Sequence, residues 1–164
     1  TYFSSVAKKE GYEQIAAIFA DTAENEKEHA KVFFQQLEGG DVEIVASYPA
    51  GVIGDTAANL LAAANGERFE WTTLYKGFGE TARQEGFKEI AAIFKEISEV
   101  EEGHEARYRK LLENVRNGTV FTRSEPTKWR CRNCGYIHEG TSAPKICPAC
   151  KHPQAYYEEM SENY

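Results

Sequence analysis

Residues 7–19 read AKKEGYEQIAAIF and residues 82–94 read ARQEGFKEIAAIF. The offset is 75 without a gap, and eight of the thirteen positions are identical. The register continues downstream: Glu26 and His29 fall opposite Glu101 and His104, so each copy carries Glu-x-x-His at the same place. A repeat this long does not suit a stacked solenoid, whose units run to about 50 residues. It predicts a duplicated helical hairpin folded as a two-fold pseudo-symmetric bundle. A site at the centre of that bundle receives one Glu-x-x-His from each half.

Working outward, residues 1–11 (TYFSSVAKKEG) read as the last turns of a helix ended by Gly11. Residues 12–38 carry a helical stripe of Ile15, Phe19, Thr22, Glu26, His29 and Phe33, stopped at Gly39-Gly40. The β-branched segment 41–54, with Pro49, Gly51 and Gly54, is too long for a tight turn between helices and suits a long crossover. Asp55 or Thr56 caps a helix predicted to run to about Glu85, with Leu60, Ala63, Glu67, Glu70 and Leu74 on one stripe. Gly86 matches Gly11, and the last helix, about 87–116, carries Ile90, Phe94, Ile97, Glu101, His104 and Tyr108 before Asn117-Gly118. Residues 119–127 read as a polar linker. From Lys128 the composition turns to Cys, Pro, Gly and aromatics. The chain divides into 1–118, a linker 119–127, and a unit 128–164 too small to fold on an apolar core alone.

The net charge of −7 argues against nucleic acid as a partner. No apolar run is long enough to span a membrane, and no signal peptide is legible at the start. The four cysteines all lie between Cys131 and Cys150 in two close pairs, the pattern of metal ligands in a reducing compartment, so a cytoplasmic protein is expected.

Glu26, His29, Glu67, Glu70, Glu101 and His104 interrupt stripes that are otherwise apolar, and the i, i+3 spacing puts each pair on one helix face. A lone helical Glu is usually solvated, and Glu24, Glu28, Glu96 and Glu102 read that way. Six ionisable groups converging inside a bundle, with no Lys or Arg on their stripes, need a compensating charge. Two metal ions supply it, and mixed carboxylate and imidazole ligands suit iron or manganese. By the same offset, Glu67 should have a counterpart about eight residues before Thr1. The repeat therefore predicts an upstream helix bearing at least one more Glu, the chain being a processed or partial product of a longer one or the helix being supplied by another copy.

Cys131-x-x-Cys134 and Cys147-x-x-Cys150, twelve residues apart, form a site of four sulfurs. Zinc is the commoner occupant of such spacing. The sequence CRNCGY, CPAC and the aromatic residues Trp129, Tyr136, Tyr156 and Tyr157 favour iron instead, and Gly135 lets backbone N–H groups approach sulfur. A redox di-metal site in the same chain strengthens that choice. His138 and His152 read as surface residues.

The order Glu26-x-x-His29, Glu67-x-x-Glu70, Glu101-x-x-His104, WRCRNCGY, CPAC resembles the rubrerythrin family over essentially the whole chain. The resemblance implies a mainly α chain: a ferritin-like four-helix bundle with its first helix truncated, then a small rubredoxin-like β/loop domain. It implies that Glu26 and Glu101 bridge two irons and that Glu67 and His104 are terminal ligands. His29 and Glu70 would take alternative positions on one iron, Tyr75 would hydrogen-bond to a carboxylate, and a further Glu ligand would lie on the helix upstream. Cys131, Cys134, Cys147 and Cys150 would hold one iron, with zinc an alternative on heterologous expression. The implied activity is reduction of hydrogen peroxide to water in oxidative-stress defence. Electrons would come from a rubredoxin or an NAD(P)H-linked rubredoxin reductase, through the cysteine-bound iron. A helix of 28 residues is about 42 Å long, so a head-to-tail homodimer is expected to bring one subunit's cysteine-bound iron near the other's di-iron site. Two other readings stand beside this one. A ferroxidase that handles iron is disfavoured by the attached four-cysteine module, and a zinc-ribbon interaction module by the in-register ligands.

Overall fold

The computed structural model describes residues 1–162 and begins with a helix, α1 (Tyr2–Lys9), followed by α2 (Glu13–Phe34). Between them the Gly11 N–H donates to the Lys8 carbonyl and the Tyr12 N–H to the Ala7 carbonyl, with Gly11 at φ +86°. This is a Schellman closure, which requires a left-handed residue. The second copy of the repeat does the same. Gly86, at φ +92°, donates to Arg83, and Phe87 to Ala82, between α4 (Tyr75–Gln84) and α5 (Lys88–Arg116). The sequence repeat is thus two helical corners of one geometry, with Ala7 and Ala82 buried beneath them.

Ahead of α4, α3 (Thr56–Phe69) starts on an Asp55 cap, whose side chain accepts from the Ala58 N–H at 2.7 Å. The Thr56 N–H is taken by Glu10 at 2.9 Å, which ties the start of α3 to the first corner. Two expectations are corrected here. The helix predicted to run unbroken to Glu85 is interrupted by a π-helical turn, Glu70–Leu74, in which the Tyr75 N–H reaches back to the Glu70 carbonyl. The helix predicted to reach Gly39-Gly40 ends at Phe34, where the N–H groups of Gln35, Gln36 and Leu37 close it with turn bonds. Residues 41–54 form the irregular crossover expected, with Val45, Tyr48 and Val52 largely exposed.

The helices pack in layers. At one end Ala7, Ile15, Ala16, Phe19, Leu60, Ala64, Tyr108, Leu111 and Leu112 form the apolar core. At the other, the rings of Phe33, Tyr75, Phe78 and Phe94 pack against one another, Phe33 stacked on Phe94. Phe19 meets Tyr108 at 5.2 Å and Phe33 meets Phe94 at 4.7 Å. Between those two aromatic contacts lie the charged repeat positions of α2 and α5, Glu26, His29, Glu101 and His104. A polar layer closed by apolar layers on both sides follows directly from the order of residues along each stripe.

The C-terminal unit is a three-stranded antiparallel sheet, order β2-β1-β3, of β1 (Thr122–Cys131), β2 (Ile137–Ser142) and β3 (Tyr157–Glu159). Strand β1 begins inside the stretch read as a linker: Thr122 pairs with Ser142, and after an irregularity Thr127 pairs with Gly140. Its polar, exposed residues carry no alternation for a sequence reading to detect. Trp129, Cys131, Ala143, Cys147 and Tyr157 make a second, separate core. The Tyr12 and Phe121 rings stack at 6.1 Å where the two parts meet. Positions 163 and 164, the end of the expected second unit, lie outside the described residues. No helix among the described residues is long and apolar enough to cross a membrane.

Candidate metal centre

Helices α2, α3 and α5 bring Glu26, Glu67, Glu101 and His104 together, with one potential ligand atom from each within 4.8 Å of the others. His29 stands beside this set. Its Nδ1 lies 3.2 Å from Glu26 Oε2 and 3.0 Å from Glu101 Oε1. On the other side, His104 Nδ1 lies 3.4 Å from Glu26 Oε1, 2.9 Å from Glu101 Oε2 and 3.8 Å from Glu67 Oε2. Each of Glu26 and Glu101 therefore turns one oxygen toward each imidazole. The two rings are 6.1 Å apart. Glu70 sits at the start of the π turn, where it interacts with Glu67, Glu26 and Glu101 and is hydrogen-bonded by the Tyr75 hydroxyl. Tyr75 packs between Phe33 and Phe94.

The electrostatics are those of a site built for cations. Burial raises Glu67, and its neighbours Glu26 and Glu101 add to that. Burial, then the charges of Glu67, Glu26 and Glu101, push Glu70 up to about 7. Burial would raise Glu26 as well, but His104 and His29 hold it below the ordinary carboxylate range. The Glu101, Glu26 and Glu67 carboxylates push His104 up to about 11. Among the described residues, Glu26 Oε1, both Glu101 oxygens and His104 Nδ1 are buried without a hydrogen-bond partner. Buried polar atoms left unpaired are costly, and here they all point inward at one another. A pair of metal ions satisfies them, and hard carboxylate oxygens with imidazole nitrogen fit iron.

What surrounds this layer leaves no mark in the sequence pattern. Glu105 is 6 % exposed and accepts from Trp71 Nε1 at 2.6 Å and Arg109 Nε at 2.6 Å. In sequence it resembles any surface Glu with an i+4 Arg; in the fold, Trp71 reaches it from the π turn. Arg107 likewise reaches from α5 to the Thr22 hydroxyl of α2 at 2.7 Å.

The cysteines converge in the second unit. Cys131 and Cys150 Sγ are 3.8 Å apart, and Cys134 and Cys147 Sγ 3.7 Å. Four sulfurs about 2.3 Å from a central metal lie about 3.8 Å from one another in a tetrahedron. The two knuckles match. The carbonyls of Cys131 and Cys147 accept from the N–H groups of Gly135 and Lys151, which have φ +78° and +64°, and their own N–H groups donate to the carbonyls of Tyr136 and His152. The His152 N–H brings Cys150 down to about 6, whereas Cys134, despite the Tyr136 N–H, is pushed up to about 12 by the other sulfurs. Four thiolates cannot coexist so closely without a cation. Trp129 and Tyr157 are buried against the cluster, Tyr156 is partly buried and Tyr136 is exposed. His138 and His152 are half-buried, not the surface residues expected; His152 is held by the Cys150 carbonyl and the Tyr156 ring.

The rubrerythrin family model matches residues 1–112, and the model of the rubrerythrin rubredoxin-like domain matches residues 129–158. The chain belongs to the rubrerythrin family. It is 63 % identical over 164 residues to rubrerythrin from Porphyromonas gingivalis, covering 100 % of this chain and 82 % of that one. It is 55 % identical to rubrerythrin from Nitratidesulfovibrio vulgaris, covering 99 % and 85 %. A solved structure of nigerythrin in a partially reduced state aligns with a TM-score of 0.62 at 28 % identity, over 98 % of this chain and 77 % of that one. The fold is accordingly the ferritin-like bundle followed by a rubredoxin-like unit. In keeping with the rubrerythrin family, the chain has a di-iron site at the Glu/His cluster and a mononuclear iron site at the four cysteines.

Proposed function

We propose that this member of the rubrerythrin family is a peroxidase that reduces hydrogen peroxide to water with electrons entering through the cysteine-bound iron. The observation that carries the proposal is the disposition of Glu26 and Glu101, each with one oxygen toward His29 and the other toward His104. Two carboxylates so placed would hold a pair of metal ions between them, with the imidazoles as further ligands. In this reading Glu67 and His104 would complete the ligation of one iron, and His29 and Glu70 would be alternative ligands of the other.

When bound and reduced, two irons would supply the two electrons that reduction of the O–O bond requires, and with two protons the products would be two waters. The chain's own groups prepare that step. Glu26, Glu101, Glu67 and Glu70 set the negative charge that stabilises the irons. Tyr75, its phenol pushed up by burial and by the Glu70 charge, keeps its proton and donates a hydrogen bond to the Glu70 carboxylate. The rings of Phe33, Phe94 and Phe78 pack together on that side.

The four-cysteine unit buries Cys131 and Cys147 and exposes Cys134. That exposed edge is the entry point for an electron from a rubredoxin or an NAD(P)H-linked rubredoxin reductase. A head-to-tail homodimer in the cytoplasm completes the reading, because it places one subunit's cysteine-bound iron beside the other's bundle.

The test is metal analysis with stopped-flow oxidation of the dithionite-reduced protein. Two bundle irons, one cysteine-bound iron and rapid oxidation by hydrogen peroxide support the proposal. Progressive accumulation of many irons per chain, with slow peroxide turnover, would replace it with an iron-handling role. Zinc in the four-cysteine site of protein from its native host would remove the electron inlet.

A further inference from the structure

The π turn Glu70–Leu74 carries Glu70 at its start, and its defining bond joins the Tyr75 N–H to the Glu70 carbonyl. Such turns are rarer than α-helix and need holding, since the backbone bonds are displaced by one residue. Here the holding comes from α5, through one residue. The Ser98 hydroxyl donates to the Trp71 carbonyl at 3.2 Å, and Trp71 Nε1 donates to Glu105 Oε2 at 2.6 Å. Ser98, Glu101 and Glu105 follow one another at i, i+3 and i+7 on one face of α5. Trp71 is therefore anchored on both sides of Glu101, at points about 10 Å apart along the helix axis. Glu105 is itself fixed: it is 6 % exposed, Arg109 Nε donates to its Oε1 at 2.6 Å, and Arg68 Nη1 stands 3.7 Å away. It also directly follows His104.

We propose that Trp71 and Glu105 form a latch that locks the π turn onto α5 and thereby sets where the Glu70 carboxylate stands at the di-iron centre. Both are positioning residues; neither touches the metals. The proposal rests on the reading of Glu70 as a ligand of that centre. The latch uses the helix that carries Glu101 and His104 as its reference, so Glu70 is placed relative to the other ligands and not merely relative to its own helix. Without the indole N–H the π turn can relax toward ordinary α-helix. That rotates Glu70 about its axis while leaving Glu67, one turn earlier, in place.

The experiment uses the full chain stripped of metal and titrated with Co(II), whose thiolate-bound and carboxylate-bound forms absorb differently. The variants are Trp71→Phe, which keeps the ring and removes the N–H; Glu105→Leu, which removes the acceptor; and Glu105→Gln, which keeps an acceptor oxygen. The four-cysteine site of the same molecule is the internal standard. The expected result is two bundle Co(II) ions bound about tenfold to a hundredfold more weakly in W71F and E105L, with an altered carboxylate-site spectrum. The thiolate bands should be unchanged, and E105Q should lie close to the parent. W71F and E105L binding with parental affinity and spectrum, whatever their melting temperatures, overturns the latch while leaving the di-metal reading intact. An equal loss in E105Q would overturn the hydrogen bond as its cause. A parent protein that takes Co(II) only at the cysteines would overturn the di-metal reading itself, and the latch with it.

Discussion

Glu26 and Glu101 share the same two imidazoles, one carboxylate oxygen of each facing His29 and the other facing His104. They differ in setting. The Glu101 side chain is fully buried, whereas that of Glu26 is 39 % exposed. Glu101→Ala should therefore be the more damaging change. It should reduce bundle loading from two metals to one or none while the four-cysteine site remains filled, read by metal analysis and visible absorption. Metal at about 100 times its Kd stabilises a protein by about 2.7 kcal/mol, and the variant should lose most of that gain in thermal unfolding.

Metal loading should strengthen as pH rises. With no metal bound, His104 is raised from 6.5 to about 11 by Glu101, Glu26 and Glu67, and Glu70 from 4.5 to about 7 by burial and its carboxylate neighbours. Both must release protons to bind metal. The stability that His104 adds to the metal-free fold is complete below 6.5 and disappears as pH rises through about 11. That from a neutral Glu70 is complete below 4.5 and disappears through about 7. Co(II) affinity measured between about pH 5.5 and 8 should increase throughout, more steeply below about 7, where both groups release protons, than above it, where only His104 does. A profile without that break near 7 would contradict the assignment of Glu70.

Tyr75→Phe should separate packing from chemistry. The ring contacts to Phe33 at 5.6 Å and Phe94 at 5.9 Å survive, so the melting temperature should change little. The hydroxyl that lowers Glu70 is lost, so Glu70 moves above 7 and the loading profile shifts to higher pH. The rate of peroxide-driven oxidation should fall about tenfold or more.

The two cysteine knuckles predict opposite responses at matching positions. Gly135 and Lys151 both have positive φ, and nothing lies within 4 Å of a Cβ added at Gly135. Gly135→Ala therefore meets only backbone strain, about 1–2 kcal/mol. Lys151→Gly relieves the same strain but gives up the Nζ bond to the Pro148 carbonyl at 2.9 Å and loosens the unfolded chain. It should stabilise by at most about 1 kcal/mol. Thermal unfolding of the metal-loaded protein, followed at the thiolate absorption, reads both.

The repeated phrase made the architecture legible because hydrophobic spacing and corner residues act locally. Gly11 and Gly86 dictate the same Schellman turn wherever they stand, and Ile15, Phe19 and Phe33 must face inward on any helix. The ligand layer was legible for the same reason: charged residues on an otherwise apolar stripe, repeated in register, had to meet. The cysteine spacing marked the four ligands, since each C-x-x-C turn brings two sulfurs together locally, but the folded sheet unit joins the two knuckles, through Cys131 with Cys150 and Cys134 with Cys147.

What the tertiary structure decided is everything that depends on contacts between distant elements. The π turn at Glu70–Leu74 leaves no mark in a helical pattern, because its bond shift is stabilised from α5 by Ser98 and Glu105, 27 and 34 residues from Trp71. The burial of Glu105 and the strand at Thr122–Arg123 have the same origin. A Glu beside an i+4 Arg, or a Thr-Arg pair ahead of Ser-Glu-Pro, reads as solvated until a partner covers or pairs it. Sequence determined which groups could ligate; packing decided how each carboxylate is aimed, because the free energy of a buried charge depends on neighbours that only the folded chain assembles.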